Sequence, residues 1–69
     1  MRIVIEIQVS NGSAAIVPPA VFENDNVGEQ AFYTAVAAAA VSTVPEHTVV
    51  MLTPEGETVE KKTYYHPAE

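Results

Sequence analysis

The sequence predicts an α+β domain of order ββαββ, an antiparallel four-stranded sheet with one helix packed on one face. Three observations carry that expectation. Residues 1–9 are apolar at every odd position, residues 31–41 are apolar almost all the way around a helix, and two β-rich stretches near the C-terminal end flank Pro54-Glu55-Gly56.

In residues 1–10, Met1, Ile3, Ile5, Ile7 and Val9 alternate with Arg2, Glu6, Gln8 and Ser10, which share the other face with Val4. That is the pattern of a half-buried strand. Asn11 and Gly12 both tolerate positive φ, so they predict a two-residue hairpin turn. Residues 13–17 return as a short second strand. Pro18-Pro19 lacks two backbone donors and is expected to stop the pairing, leaving residues 20–23 extended.

Asn24, Asp25 and Asn26 all offer helix N-caps, and Asn26 with Glu29 three residues on approximates a capping box. The helix is therefore placed at residues 27–43, with Pro45 just beyond its end, a length of roughly 25 Å. Phe32, Ala35, Val36 and Ala39 form a stripe for the sheet. Tyr33, Ala37, Ala40, Val41 and Val44 form a second, broader stripe that so short a chain has little to cover. The alanine run 37–40 has two readings: a helix lying low on its sheet, or a tight seam for a second helix or docking partner.

Residues 47–53 read as a third strand and residues 57–65 as a fourth, with Gly56 supplying a left-handed residue between them. If Thr53 faces Glu57, then Val49, Met51, Val59 and Tyr65 share the core side. Val50, Leu52, Glu60, Lys62 and Tyr64 then fall on the other, making an open sheet face together with Val4. The long apolar first strand is expected to be central, the fourth an edge, and residues 66–69 a loose tail.

The chain reads as one domain of 69 residues, small enough to have little stability to spare. Nine acidic residues against three basic ones (Arg2, Lys61, Lys62) give a net charge of −6, which argues against direct binding to nucleic acid and suits basic partners. With no cysteine there is no disulfide framework, thiolate zinc site or cysteine nucleophile. A cytoplasmic setting is expected: Glu6 and Gln8 interrupt the first apolar stretch, no small-residue cleavage site follows, and residues 31–41 are too short to span a bilayer. Asn11-Gly12-Ser13 matches a glycosylation sequon but reads as a turn.

Little in the sequence suggests chemistry. His47 and His66 with Glu46 or Glu69 lack metal-ligand spacing, so no metal is expected. Ser10, Ser13 and Ser42 sit in no nucleophile elbow, and Gly12, Gly28 and Gly56 are isolated rather than forming a phosphate loop, so neither a cofactor nor an enzyme is expected. Tyr64 and Tyr65 beside Lys61 and Lys62 have the ingredients of base stacking, but Glu57 and Glu60 flank them. On an edge strand the two lysines instead discourage indiscriminate pairing.

The expected function is a non-enzymatic protein-binding domain that occludes or scaffolds another protein. Its candidate contact residues are Tyr33, Ala37, Ala40, Val41 and Val44 on the helix side, Val50, Leu52 and Tyr64 on the sheet, and the carboxylates Glu55, Glu57 and Glu60. In size and acidity the chain is similar to the general run of small virus- or mobile-element-encoded inhibitors, anti-CRISPR proteins among them. That likeness of class implies a host protein or nuclease as partner, in the host cytoplasm, and assigns no residue a role. Two alternatives stand beside it. One is a homo-oligomeric structural or antitoxin-like dimer subunit with Tyr33, Ala37 and Val41 at a two-fold seam. The other is a small enzyme built around His47 or His66.

Overall fold

A computed structural model describes residues 1–66. Its elements run β1 (Arg2–Ser10), β2 (Ser13–Phe22), α1 (Asp25–Ala40), β3 (Glu46–Leu52) and β4 (Thr58–Tyr65), the expected ββαββ order. The four strands form one antiparallel sheet in the order β2-β1-β3-β4, so β1 and β3 are central and β2 and β4 are edges. The helix lies on one face.

The turns follow their sequence signals. Asn11 (φ 52°) and Gly12 (φ 77°) both adopt left-handed backbone between β1 and β2. Between β3 and β4, Gly56 has φ 90°, and its amide donates to the Thr53 carbonyl at 2.9 Å while the Thr53 amide donates to Glu57 at 2.8 Å.

Beyond one-residue shifts at the ends of β1, β3 and β4, the structure departs from the sequence reading in four places. β2 continues through Pro18-Pro19 to Phe22 because it is an edge, where a missing donor costs no ladder bond. The prolines are absorbed as a bulge, since Val4 pairs with Ala20 but Glu6 with Val17. The helix starts two residues earlier, capped by Asn24, whose side-chain oxygen accepts from the amides of Asn26 (2.8 Å) and Val27 (3.2 Å), so the Asn26/Glu29 capping box does not form. It also ends at Ala40, before the β-branched run Val41, Thr43 and Val44. His66 belongs to the packed structure: its amide donates to the Pro45 carbonyl at 2.7 Å and its ring Nε2 donates to the Ala39 carbonyl at 2.9 Å. The remainder of the expected tail, residues 67–69, lies outside the described residues.

The hydrophobic core consists of Val4, Phe32, Ala39, Val49 and Met51, with Phe22, Ala35, Val36 and Tyr64 packed partly against it. Val49 and Met51 are core, as the sequence predicts, but Val4 joins them rather than lying on the open face. Register explains this: Val4 pairs with Met51 and Glu6 with Val49, and directly paired residues share a face. A second bulge reverses the expected faces of β4. Leu52 pairs with Thr58 but Met51 with Glu60, so Val59 is the extra residue, and Glu60, Lys62 and Tyr64 turn to the helix side while Lys61, Thr63 and Tyr65 turn away.

Candidate functional site

The face of the sheet opposite α1 carries a broad field of apolar side chains that the helix does not cover. β1 places Ile3, Ile5, Ile7 and Val9 there, β3 adds Val50 and Leu52 opposite Ile5 and Ile3, and β2 adds Val21 and Ile16 opposite Ile3 and Ile7. The residues of the two central strands are half-buried by their neighbours within the sheet, whereas Ile16 is 65% and Val21 58% exposed on the edge. Polar groups gather toward β4, where the Thr48 and Thr63 hydroxyls hydrogen-bond each other at 3.0 Å. Among the described residues, charge on this face is confined to Glu46, at the start of β3, and Lys61 on the edge strand β4.

β3 is thus apolar on both sides over residues 49–52, whereas β1 is apolar along its open side and carries Val4 among Arg2, Glu6 and Gln8 on the helix side. Val49 and Met51 meet the helix while Val50 and Leu52 do not, and Val4 meets it while the isoleucines do not. Strands with continuous apolar runs are normally covered on both faces.

The expected contact residues fall in separate places. Val50 and Leu52 are brought together on the open face. Tyr33, Ala37 and Val41 are exposed outside the core, Val41 at 83%, whereas Ala40 and Val44 are half-buried. Because the helix stops at Ala40, Val41 and Val44 do not extend its stripe. Tyr33 sits edge-on to the buried Phe32 ring, with centroids 5.2 Å apart. Glu55 and Glu57 lie in the turn between β3 and β4, and Glu60 is exposed on the helix side of β4. Tyr64 also faces the helix side, stacked on His66 at 6.3 Å with the Lys62 ammonium 5.4 Å from its ring. Sequence reasoning missed Ile3, Ile5, Ile7, Val9, Ile16 and Val21 as surface; the signal lay in the unbroken apolar run 49–52, which alternation alone does not explain.

A second feature lies on the helix side. An apolar cleft of about 170 Å³ opens between β2 and α1, where the proline bulge bows the edge strand, and Glu6 supplies its one carboxylate. Glu6 Oε1 accepts from Nε2 of the buried His47 at 3.0 Å, which fixes the ring proton on Nε2 when the ring is neutral and leaves Nδ1 buried without a partner. An imidazole held by a carboxylate has two members of a hydrolytic triad; among the described residues no hydroxyl donates to Nδ1.

Among the described residues, no group of three His, Cys, Asp or Glu side chains is placed to hold a metal ion, and no helix is long and apolar enough to cross a membrane. Comparison with known proteins finds no matching family model, no matching curated protein and no matching solved structure.

Proposed function

We propose that the chain is a non-catalytic protein-binding domain that works through the open face of its sheet. The observation that carries this reading is the aliphatic field that β1 and β3 present on the side the helix does not cover, with β3 apolar on both sides over residues 49–52. Ile3, Ile5, Ile7, Val50 and Leu52 are already half-buried within the sheet, so covering them recovers a part of the about 1.5–3 kcal/mol that full burial of an exposed side chain is worth. A partner recovers that energy on docking. The helix-side alternative, centred on Tyr33 and Ala37, offers one aromatic ring, the exposed Val41 past the helix end and a row of methyl groups, without a contiguous run of branched side chains. An occluding role of the inhibitor class requires only that this face seat on a partner, with the carboxylates Glu55 and Glu57 at the turn beside it available to basic residues.

Photo-crosslinking tests the reading. A benzophenone side chain placed at Ile5 is expected to give discrete protein adducts in cells producing the chain, and the same probe at Tyr33 to give none. Adducts from Tyr33 alone, or no adduct from Ile5, would overturn it.

A further inference from the structure

We infer that the occupant of the open sheet face is a second copy of this chain, giving a two-fold dimer layered helix, sheet, sheet, helix. The inference rests on the reading of that face as a protein interface and names its partner.

The sheet edges direct the contact to the face. β2 carries Pro18 and Pro19 within a bulge, and β4 carries a bulge at Val59 followed by Lys61 and Lys62. Prolines, bulges and lysines are the devices that keep an edge strand from accepting another strand. A partner therefore meets Ile3, Ile5, Ile7, Val50 and Leu52 from above the sheet.

What fits there is another twisted sheet. The face is a field of aliphatic side chains, and the cleft beside Glu6 is on the opposite side. Two antiparallel sheets pack face to face about 10 Å apart with strands rotated by about 30°, their side chains interdigitating. A second copy presents the same twist and the same aliphatic surface, as a self-complementary two-fold contact requires.

Charge permits the pairing despite a net of −6 per chain. Among the described residues, Arg2, Glu6, Glu60 and Lys62 face the helix side, Glu23 is in the bend before the helix, Asp25 and Glu29 are on the helix, and Glu55 and Glu57 are in a turn. Glu46 and Lys61, of opposite sign, are the charges on the open face. The carboxylate excess thus lies outside the contact.

The area is sufficient. Four strands about 4.8 Å apart and about eight residues long, at about 3.3 Å per residue, present roughly 500 Å² in projection. Two copies would remove on the order of 1,000 Å² or more from water, the lower bound for a specific interface. The need is also present, because five apolar side chains form the buried core of this 69-residue chain, and domains of that size commonly gain stability by association.

The test is absolute mass by light scattering on the full chain over a concentration series. The expected result is twice the chain mass at tens of micromolar, with Ile5→Lys weakening association by at least about 30-fold, the effect of losing one central anchor, while Tyr33→Lys leaves it unchanged. Circular dichroism checks that each variant is folded. If Ile5→Lys does not fold, Val50→Thr keeps a β-branched shape and is expected to weaken association at least about tenfold. A wild-type chain that stays monomeric at millimolar concentration overturns the second copy while leaving the open-face reading to the crosslinking result. A dimer that survives Ile5→Lys or Val50→Thr but is separated by Ala37→Glu places the seam on the helix and overturns both.

Discussion

Gly28 is the residue whose identity the packing most clearly demands. A Cβ added there would lie 2.6 Å from the Cβ of Arg2, closer than side chains tolerate, because the first turn of α1 presses directly on the start of β1. Alanine would favour the helix by about 1 kcal/mol, but the clash is with an atom anchored to the strand backbone rather than with a flexible side-chain end. Gly28→Ala is therefore expected to lower the unfolding free energy by about 1–3 kcal/mol, the usual cost of overpacking. Equal or greater stability in denaturant titration would show that the helix can ride up without loss. Close by, Asp25 ties the same corner together, its Oδ1 accepting from the Met1 ammonium at 2.6 Å with Arg2 at 3.5 Å from Oδ2. The ammonium hydrogen bond, with the charge of Arg2 and of the ammonium itself, outweighs desolvation and holds the Asp25 carboxyl below its ordinary value of 3.8. A lowered folded pKa means that the contribution is present above that value and is lost as pH falls through the folded pKa. The stability gap between wild type and Asp25→Asn should thus be widest near neutral pH and shrink below pH 4; a gap constant down to pH 2 would contradict the ion pair.

At the scale of elements, β1 and β3 form the covered centre of the sheet and β2 is its least buried strand. All of β2 except Phe22 is exposed, it is interrupted by the proline bulge, and it meets the helix chiefly across the apolar cleft. Amide hydrogen exchange should therefore be slowest in the β1–β3 ladder and fast around residues 17–20, since opening the edge exposes little apolar surface. Uniform protection across all four strands would refute this ranking. The same contrast explains what the sequence makes legible. Strand number, the Asn11-Gly12 and Gly56 turns, the central place of β1 and the core role of Phe32, Ala39, Val49 and Met51 follow from local pattern and turn chemistry. The face of β1 does not, because alternation points to the isoleucines while register with β3 sends Val4 to the helix. The faces of β4 do not either, because one extra residue at Val59 inverts every later side chain and no residue type announces it. Asn24, Asp25 and Asn26 are chemically near-equivalent caps, so the helix start is settled by packing against Arg2.

For the whole molecule, a thin core and a wide open face belong to the same account. The helix covers a strip over β1 and β3, and the apolar side chains on the reverse of those strands are not covered by it. Of the candidate contact residues, Val50 and Leu52 stand within that face, while Tyr33, Ala37 and Val41 are separate from it and the carboxylates Glu55, Glu57 and Glu60 lie at its margin or behind it. Solvent access of individual methyl groups measures the central claim most directly. With a soluble nitroxide added to methyl-labelled protein at high concentration, the account predicts that Ile3, Ile5, Ile7, Val50 and Leu52 are shielded to the same degree as the core Val49, while the exposed Val27 and Val41 are strongly broadened. Open-face methyls broadened as strongly as Val41 would contradict it.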